Sequence, residues 1–163
     1  MKSTGEVMGI DMDFGMSFAK SQIAAGNPMP VSGRVFLSVK DKDKAGLVEV
    51  AQGLEAAGFA LVATRGTAEY LRKRGITVEA VNKVTEGRPH IVDQITDMQV
   101  DFVINTVYGA QSQKDSYFIR RTTLMKGIPY FTTLSAAKAA VKGIAAIRKN
   151  HLQVKSLQEY HSS

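Results

Sequence analysis

The side chains in this 163-residue chain with chemistry to offer are lysines, threonines, a serine and an asparagine standing where apolar runs end. The sharpest case is Val62-Ala63-Thr64-Arg65-Gly66-Thr67, where the apolar run Phe59 to Ala63 stops and a helical pattern begins two residues later. This reads as a strand-loop-helix corner. Gly66 would let the backbone turn tightly and approach a ligand, and Thr64 and Thr67 offer hydroxyls. A helix opening at about Thr67 would aim unpaired N–H groups and its positive dipole end into the same space. A small anion suits such a corner, although Thr67 taken alone is equally an ordinary N-cap.

Other polar residues follow apolar runs in the same way: Ser38 and Lys44 flank the first loop, Asn82-Lys83 follows the third run, and Asn105-Thr106 follows the fourth. Two ammonium groups, several hydroxyls and an amide would make a phosphate and sugar site if the fold places them on one rim. Each also has a plain structural reading, since Asn105 could tie down a loop, Lys83 could be solvated, and Ser38 could simply end a strand.

The elements that must position them are regular from Gly33 onward. Val35–Val39 reads as a strand and Lys44–Ala57 as a helix, with Leu47, Val48, Val50, Ala51 and Leu54 on one face and Gly58 as its stop. The unit recurs as Phe59–Ala63 with Thr67–Arg74, then Thr77–Val81 with a helix that Pro89 can start, and Phe102–Ile104 with Gln113–Lys126. Tyr130–Thr132 and a helix from about Ala136 to Lys149, with Ser135 as its N-cap, complete five alternations. Apolar strands without polar alternation, separated by amphipathic helices, imply a parallel sheet covered on both faces, and ligands of such sheets bind outside the carboxyl ends of the strands. Residues 1–32 stand apart, with Phe14, Phe18 and Ile23 suggesting a helix that ends near Gly26, and Asn27-Pro28-Met29-Pro30 reading as a linker.

Composition narrows the function classes. An apolar content of 44% and a charged content of 22% fit one globular domain able to bury a core. No stretch approaches a membrane span and no secretory signal opens the chain, which points to the cytoplasm. The absence of cysteine excludes disulfides, thiolate zinc sites and a cysteine nucleophile. A net charge of +6 favours an anionic partner, but the basic residues are dispersed and aromatics make up only 7%, so a small phosphorylated ligand accounts for the charge better than a nucleic acid. Lys40 to Gly46 fails as a calcium loop because Ala45 and Gln52 stand where oxygen ligands are required, and the three histidines show no metal-ligand spacing; no metal is expected.

Taken together, Phe36-Leu37-Ser38-Val39, Asp43-Lys44, Val62 to Thr67, Asn82-Lys83-Val84, Glu86-Gly87-Arg88-Pro89-His90-Ile91-Val92-Asp93, Asn105-Thr106, Asp115-Ser116 and Ile119-Arg120-Arg121 resemble the C-terminal allosteric domain of the carbamoyl-phosphate synthase large subunit. The resemblance implies a methylglyoxal-synthase-like α/β fold, a Rossmann-like three-layer sandwich around five parallel strands, over 33–163, with 1–32 as the tail of a preceding ATP-grasp synthetase domain plus linker. It also implies a regulatory module without catalytic residues or cofactor of its own. Lys44, Thr64, Gly66, Thr67 and Lys83 match positions that hold the phosphate of a nucleotide monophosphate of the UMP or IMP type, and Ser38, Asn105 and Thr106 match positions near its nucleoside. Asp115 and Thr132 resemble residues near the family's ornithine site. The full family enzyme uses ATP, Mg or Mn and K, and pairs with a glutaminase small subunit. The partners implied are therefore the effector, the rest of the large subunit and that small subunit, with no nucleic acid or membrane, and with self-association left open.

Departures from the familiar pattern fall at Val107, Tyr108, Gly109, Ala110 and Gln111, where a threonine, an acid and basic residues are expected after Asn105-Thr106. They leave the effector's identity open. The alternative is a free-standing methylglyoxal synthase-type lyase acting on dihydroxyacetone phosphate, whose phosphate loop resembles Thr64 to Thr67 and one of whose acids falls near Asp41. That enzyme needs a Gly-Gly-Asp loop and a later histidine, whereas this chain has Glu86 to His90 and no histidine between His90 and His151. The cyclohydrolase domain of purine synthesis resembles Ser38 to Gly46 but lacks its continuation here.

Overall fold

The computed structural model describes residues 5–106, 113–150 and 152–161, with side chains described from Ser116 onward in the helix that opens at Gln113. Five strands form one parallel sheet: β1 Arg34–Ser38, β2 Ala60–Thr64, β3 Glu79–Val81, β4 Phe102–Asn105 and β5 Tyr130–Phe131. Their order is β3-β2-β1-β4-β5. The chain therefore builds outward from β1 to one edge, then returns to build outward to the other. Connecting and flanking helices are α1 Phe14–Ala24, α2 Lys44–Ala56, α3 Arg65–Arg72, α4 Ile91–Thr96, α5 Gln113–Met125, α6 Leu134–Lys149 and α7 Leu157–His161.

Alternation along the strands assigns the two covering layers. Val35, Leu37, Leu61, Ala63, Phe102 and Ile104 point to the face covered by α2, α3 and α6 through residues such as Leu47, Leu54, Leu71, Ala140 and Ile144. Phe36, Val62 and Val103 point to the other, covered by Ile91 and Ile95 of α4 and Ile119 of α5. Both faces are dry, which is why the central strands carry apolar residues at consecutive positions instead of alternating with polar ones. The three-layer α/β architecture read from the sequence is the one observed. Gly58 and Gly75, at φ near +77° and +78°, close α2 and α3 in the left-handed conformation that a glycine adopts without strain.

Several element boundaries differ from expectation for local reasons. α3 begins at Arg65, directly after β2, so Thr64 occupies the N-cap position and Thr67 lies within the first turn. His90, not Pro89, caps α4, its Nδ1 accepting from the backbone N–H of Asp93 at 3.3 Å. Thr133, not Ser135, caps α6 by accepting from the N–H of Ala136 at 3.1 Å. β3 is shorter than Thr77–Val81 because it is an edge strand, paired only with β2.

The segment before Gly33 packs on the sheet-facing layer. Asp13 caps α1 by accepting from the N–H of Met16 at 2.8 Å, and α1 lies so close to α6 that a Cβ on Gly15 would sit 2.5 Å from the carbonyl oxygen of Lys142. Ala19 and Met29 are buried in the same cluster as the sheet, although Met29 belongs to the stretch that reads as a linker. The ring of Phe18 lies 6.2 Å from that of Phe131, which in turn stands edge-on to Phe102 at 5.3 Å. Among the described residues, no helix is long and apolar enough to cross a membrane.

Candidate anion-binding site

The carboxyl ends of β2, β1 and β4 lie side by side, and the sequence places Thr64, Ser38 and Asn105 at them. All three are buried, as are Thr67 and Thr106. The reversal of strand order falls between β1 and β4, where neighbouring connections leave in opposite directions and open a crevice. Here the N–H of Thr106 donates to the carbonyl of Ser38 at 2.9 Å, and its hydroxyl donates to Asp43 Oδ2 at 2.6 Å. Asn105 Nδ2 donates to the Tyr130 hydroxyl at 3.1 Å, which fixes the amide's orientation. Burial raises the pKa of Tyr130, a shift that the bond to Asn105 and the charge of Arg120 partly offset.

On the β2 side, Thr64 Oγ1 and Thr67 Oγ1 are 3.2 Å apart. Gly66 lies inside the first turn of α3 and has no positive φ, so its use as a loop hinge is corrected: strand passes into helix without a loop. What the missing side chain does leave is a bare helix end beneath a cation. The ammonium of Lys44, first residue of α2, would lie 3.6 Å from a Cβ on Gly66 and is 2.8 Å from Asp41 Oδ1. It also stands 5.9 Å from the ring centroid of Tyr70. Lys83, just after β3, is exposed, its N–H bonded to Glu86 Oε2 at 2.9 Å. Its charge reaches the same corner, because the Asp41 carboxyl is held below the usual range first by Lys44 and further by Lys83.

Thr132 is exposed at the end of edge strand β5, separated from Thr64 by β1 and β4. The side chain of Asp115 and residues Val107 to Gln111 lie outside the described residues. Lys44, Thr64, Gly66 and Thr67 thus form one corner, with Lys83 at its margin and Ser38, Asn105 and Thr106 along the adjoining crevice.

Sequence reasoning missed the contacts made by three neighbours. Asp41 figures there only as lying near an acid of the alternative lyase, although its i,i+3 spacing to Lys44 signals the pair. Tyr130 acts on Asn105 from the next strand, 25 residues away. Asn82 holds Arg65 through Oδ1 at 2.9 Å and the Pro89 carbonyl through Nδ2 at 3.3 Å, joining the start of α3 to the loop before α4. Elsewhere, a cleft of about 500 Å³ lies between α1 and the C-terminal segment, with apolar walls including Met8, Ile23 and Leu152. Lys20 and Lys155 also line it, both over the ring of Tyr160, but no serine or threonine hydroxyl is among its walls, whereas the rim sets Thr64 and Thr67 beside Lys44 at the start of α3.

Residues 46–132 match the family model described as MGS-like domain. The carbamoyl phosphate synthase large chain of Myxococcus xanthus is 52% identical over 160 residues, covering 98% of this chain and 15% of that protein. The carbamoyl phosphate synthase large chain, C-terminal section, of Methanopyrus kandleri is 46% identical over 162 residues, covering 99% of this chain and 30% of that protein. The chain thus spans a minor part of the relatives it matches. Among solved structures, a methylglyoxal synthase from Elizabethkingia anophelis superposes with a TM-score of 0.55 at 19% identity, covering 83% of this chain and 93% of that one, which is a likeness of fold.

Proposed function

Because the chain belongs to the MGS-like domain family, we propose that it is the effector-binding regulatory section of a carbamoyl phosphate synthase large chain, without catalytic residues of its own. The identity of 52% across nearly the whole chain to such a large chain supports the placement. The observation that carries the binding role is the corner where Lys44 overhangs the first turn of α3 beside Thr64 and Thr67. Backbone N–H groups at that helix start, two hydroxyls and the ammonium of Lys44 are donors that a phosphate accepts from without reorganising the fold.

In this reading the ligand is a nucleotide monophosphate of the UMP or IMP type. Its phosphate sits among Lys44, Thr64, Gly66, Thr67 and Lys83, and its nucleoside runs along the crevice past Ser38, Asn105 and Thr106. Ornithine is a second effector, touching Asp115 and Thr132 in a site completed by the rest of the large chain. ATP, Mg or Mn, K and the glutaminase small subunit belong to that remainder, and the assembly works in the cytoplasm. Regulation follows if the nucleotide binds one conformational state of the whole enzyme better than another, a coupling of typically 1–3 kcal/mol.

Calorimetric titration of the chain with UMP, IMP and ornithine, beside an assay for methylglyoxal formation from dihydroxyacetone phosphate, tests the proposal. Saturable nucleotide binding without turnover is the expected result. Turnover of dihydroxyacetone phosphate that Lys44→Ala abolishes would replace the regulatory reading with the lyase.

A further inference from the structure

Asp41 opens a short 3-10 turn, Asp41–Asp43, that runs directly into α2, so its carboxylate and the ammonium of Lys44 fall on the same side with Oδ1 and Nζ 2.8 Å apart. This pair differs from an ordinary surface ion pair in two respects. The cation is the more enclosed partner, with the Lys44 side chain 18% exposed and that of Asp41 94% exposed. The ammonium also overhangs the first turn of α3 at Gly66. A positive charge beside the positive end of a helix is unfavourable by itself and calls for an anion in the same place. Asp41 supplies that anion, and Lys83 contributes to holding its carboxyl ionised.

We propose that Asp41 is a built-in competitor for the ligand's phosphate: its carboxylate and the phosphate contend for the same ammonium of Lys44. The inference rests on the phosphate reading of the rim. The contest is unequal by design. The carboxylate brings one negative charge on a side chain that is almost wholly in water, where an ion pair contributes little. A phosphate monoester brings a charge of about −1.5 to −2 and three strong acceptor oxygens, enough to engage Lys44, the N–H groups of α3 and the threonine hydroxyls together. Asp41 therefore gives way, and its rotation into solvent costs no packing because its own side chain is already almost wholly exposed. Its effect is to weaken every phosphate ligand by the free energy of the pair that must first be broken, and to exclude weakly charged anions that cannot outbid it.

The test compares UMP affinity, by calorimetry, in the unmodified chain, Asp41→Asn and Asp41→Ala. Glu49→Gln serves as a control, because it removes an exposed carboxylate of α2 that is paired with Lys138 of α6 and not with Lys44, and changes the net charge by the same amount. Losing the competitor should tighten UMP about three- to fivefold, the upper scale of an exposed ion pair at a helix end, with Glu49→Gln moving it less than about twofold. Unchanged or weaker binding in both Asp41 variants, while Lys44→Ala still lowers affinity, would overturn the competitor role and make Asp41 a support for Lys44. Affinity indifferent to Lys44→Ala as well would overturn the phosphate site itself.

Discussion

The backbone N–H of Thr106 donates to the carbonyl of Ser38 across 2.9 Å, so the pairing of β1 with β4 continues past the last strand residues at the point where the sheet reverses its order. That bond turns the Thr106 hydroxyl toward Asp43, the residue immediately before Lys44, with 2.6 Å between the oxygens. Crevice and phosphate corner are thereby linked through one hydroxyl. Thr106→Val keeps the shape and removes the donor, leaving a partly buried carboxylate whose remaining ion-pair partner among the described residues is the Lys40 ammonium at 3.5 Å. Chemical denaturation should show a loss of about 1–3 kcal/mol. A loss well below that range would mean that water replaces the hydroxyl without cost.

Within the phosphate corner, removing one charged or hydroxyl partner should reduce affinity without unfolding the chain. Lys83→Ala, at an exposed position, and Thr64→Ala, at a buried one, are each expected to cost on the order of 1.5–3 kcal/mol of UMP binding, roughly ten- to a hundredfold. The buried threonine should also lower stability slightly, whereas the lysine should not. Equal UMP affinity in both variants and the unmodified chain would move the phosphate off this rim.

Close contact between α1 and α6 depends on small residues facing each other. A Cβ on Gly15 would meet the carbonyl of Lys142 at 2.5 Å, and one on Gly143 would meet the Met29 methyl at 2.4 Å and the carbonyl of Gly15 at 3.3 Å. Gly15→Ala presses on backbone and should cost about 1–3 kcal/mol, with hydrogen exchange accelerated mainly over 14–24. Gly143→Ala meets the end of a flexible methionine first and should cost less. Equal effects of the two substitutions would contradict this packing.

The start of the chain and its last helix are clasped by an ion pair with a sign that pH can read. Lys20 Nζ donates to Asp11 Oδ2 at 2.7 Å and to the Tyr160 hydroxyl at 2.9 Å, and that hydroxyl donates to the Ile10 carbonyl at 3.0 Å. The Asp11 carboxyl is held below its usual range by the Lys20 hydrogen bond first and the Asp13 N–H second. A depressed carboxylate contributes stability above its unfolded pKa and loses it as pH falls through the folded one. Lys20 is raised in spite of burial, through its bonds to Asp11 and Tyr160, so its contribution is complete below its unfolded pKa and is lost only as pH rises through the folded value. Fraying of 10–20 and 157–161, followed by hydrogen exchange corrected for intrinsic rates, should therefore appear below the ordinary carboxylate range and be absent at neutral pH. Undiminished protection in acid would show that apolar packing alone holds the ends.

How much of this was legible in the sequence follows from how far each interaction reaches along the chain. The apolar runs at Val35, Leu61 and Phe102 announce strands buried on both faces, and the polar residues ending them, Ser38, Thr64 and Asn105, fall on one rim because parallel strands align their carboxyl ends. The corner at Thr64 was located correctly, but its helix opens two residues early, since an extended Thr64 can serve as the last residue of β2 and the cap position of α3 at once. Gly66 looks like a hinge in sequence and proves to be ordinary helix with an uncovered surface. The tie between Asn105 and Tyr130 needs the pairing of β4 with β5, which no local pattern encodes. The pairing of Asp41 with Lys44 needs the short 3-10 turn that brings them to one side.

Nucleotide binding through the phosphate is the central claim, and parallel titrations of the chain with UMP, IMP and ribose 5-phosphate test it most directly. A phosphate-dominated site, in a sequence that has Val107 and Ala110 where the family pattern has side chains with donors, should hold all three within roughly tenfold of one another, each weakened by Lys44→Ala. A preference of about a hundredfold or more for one nucleotide, with ribose 5-phosphate failing to bind, would contradict it.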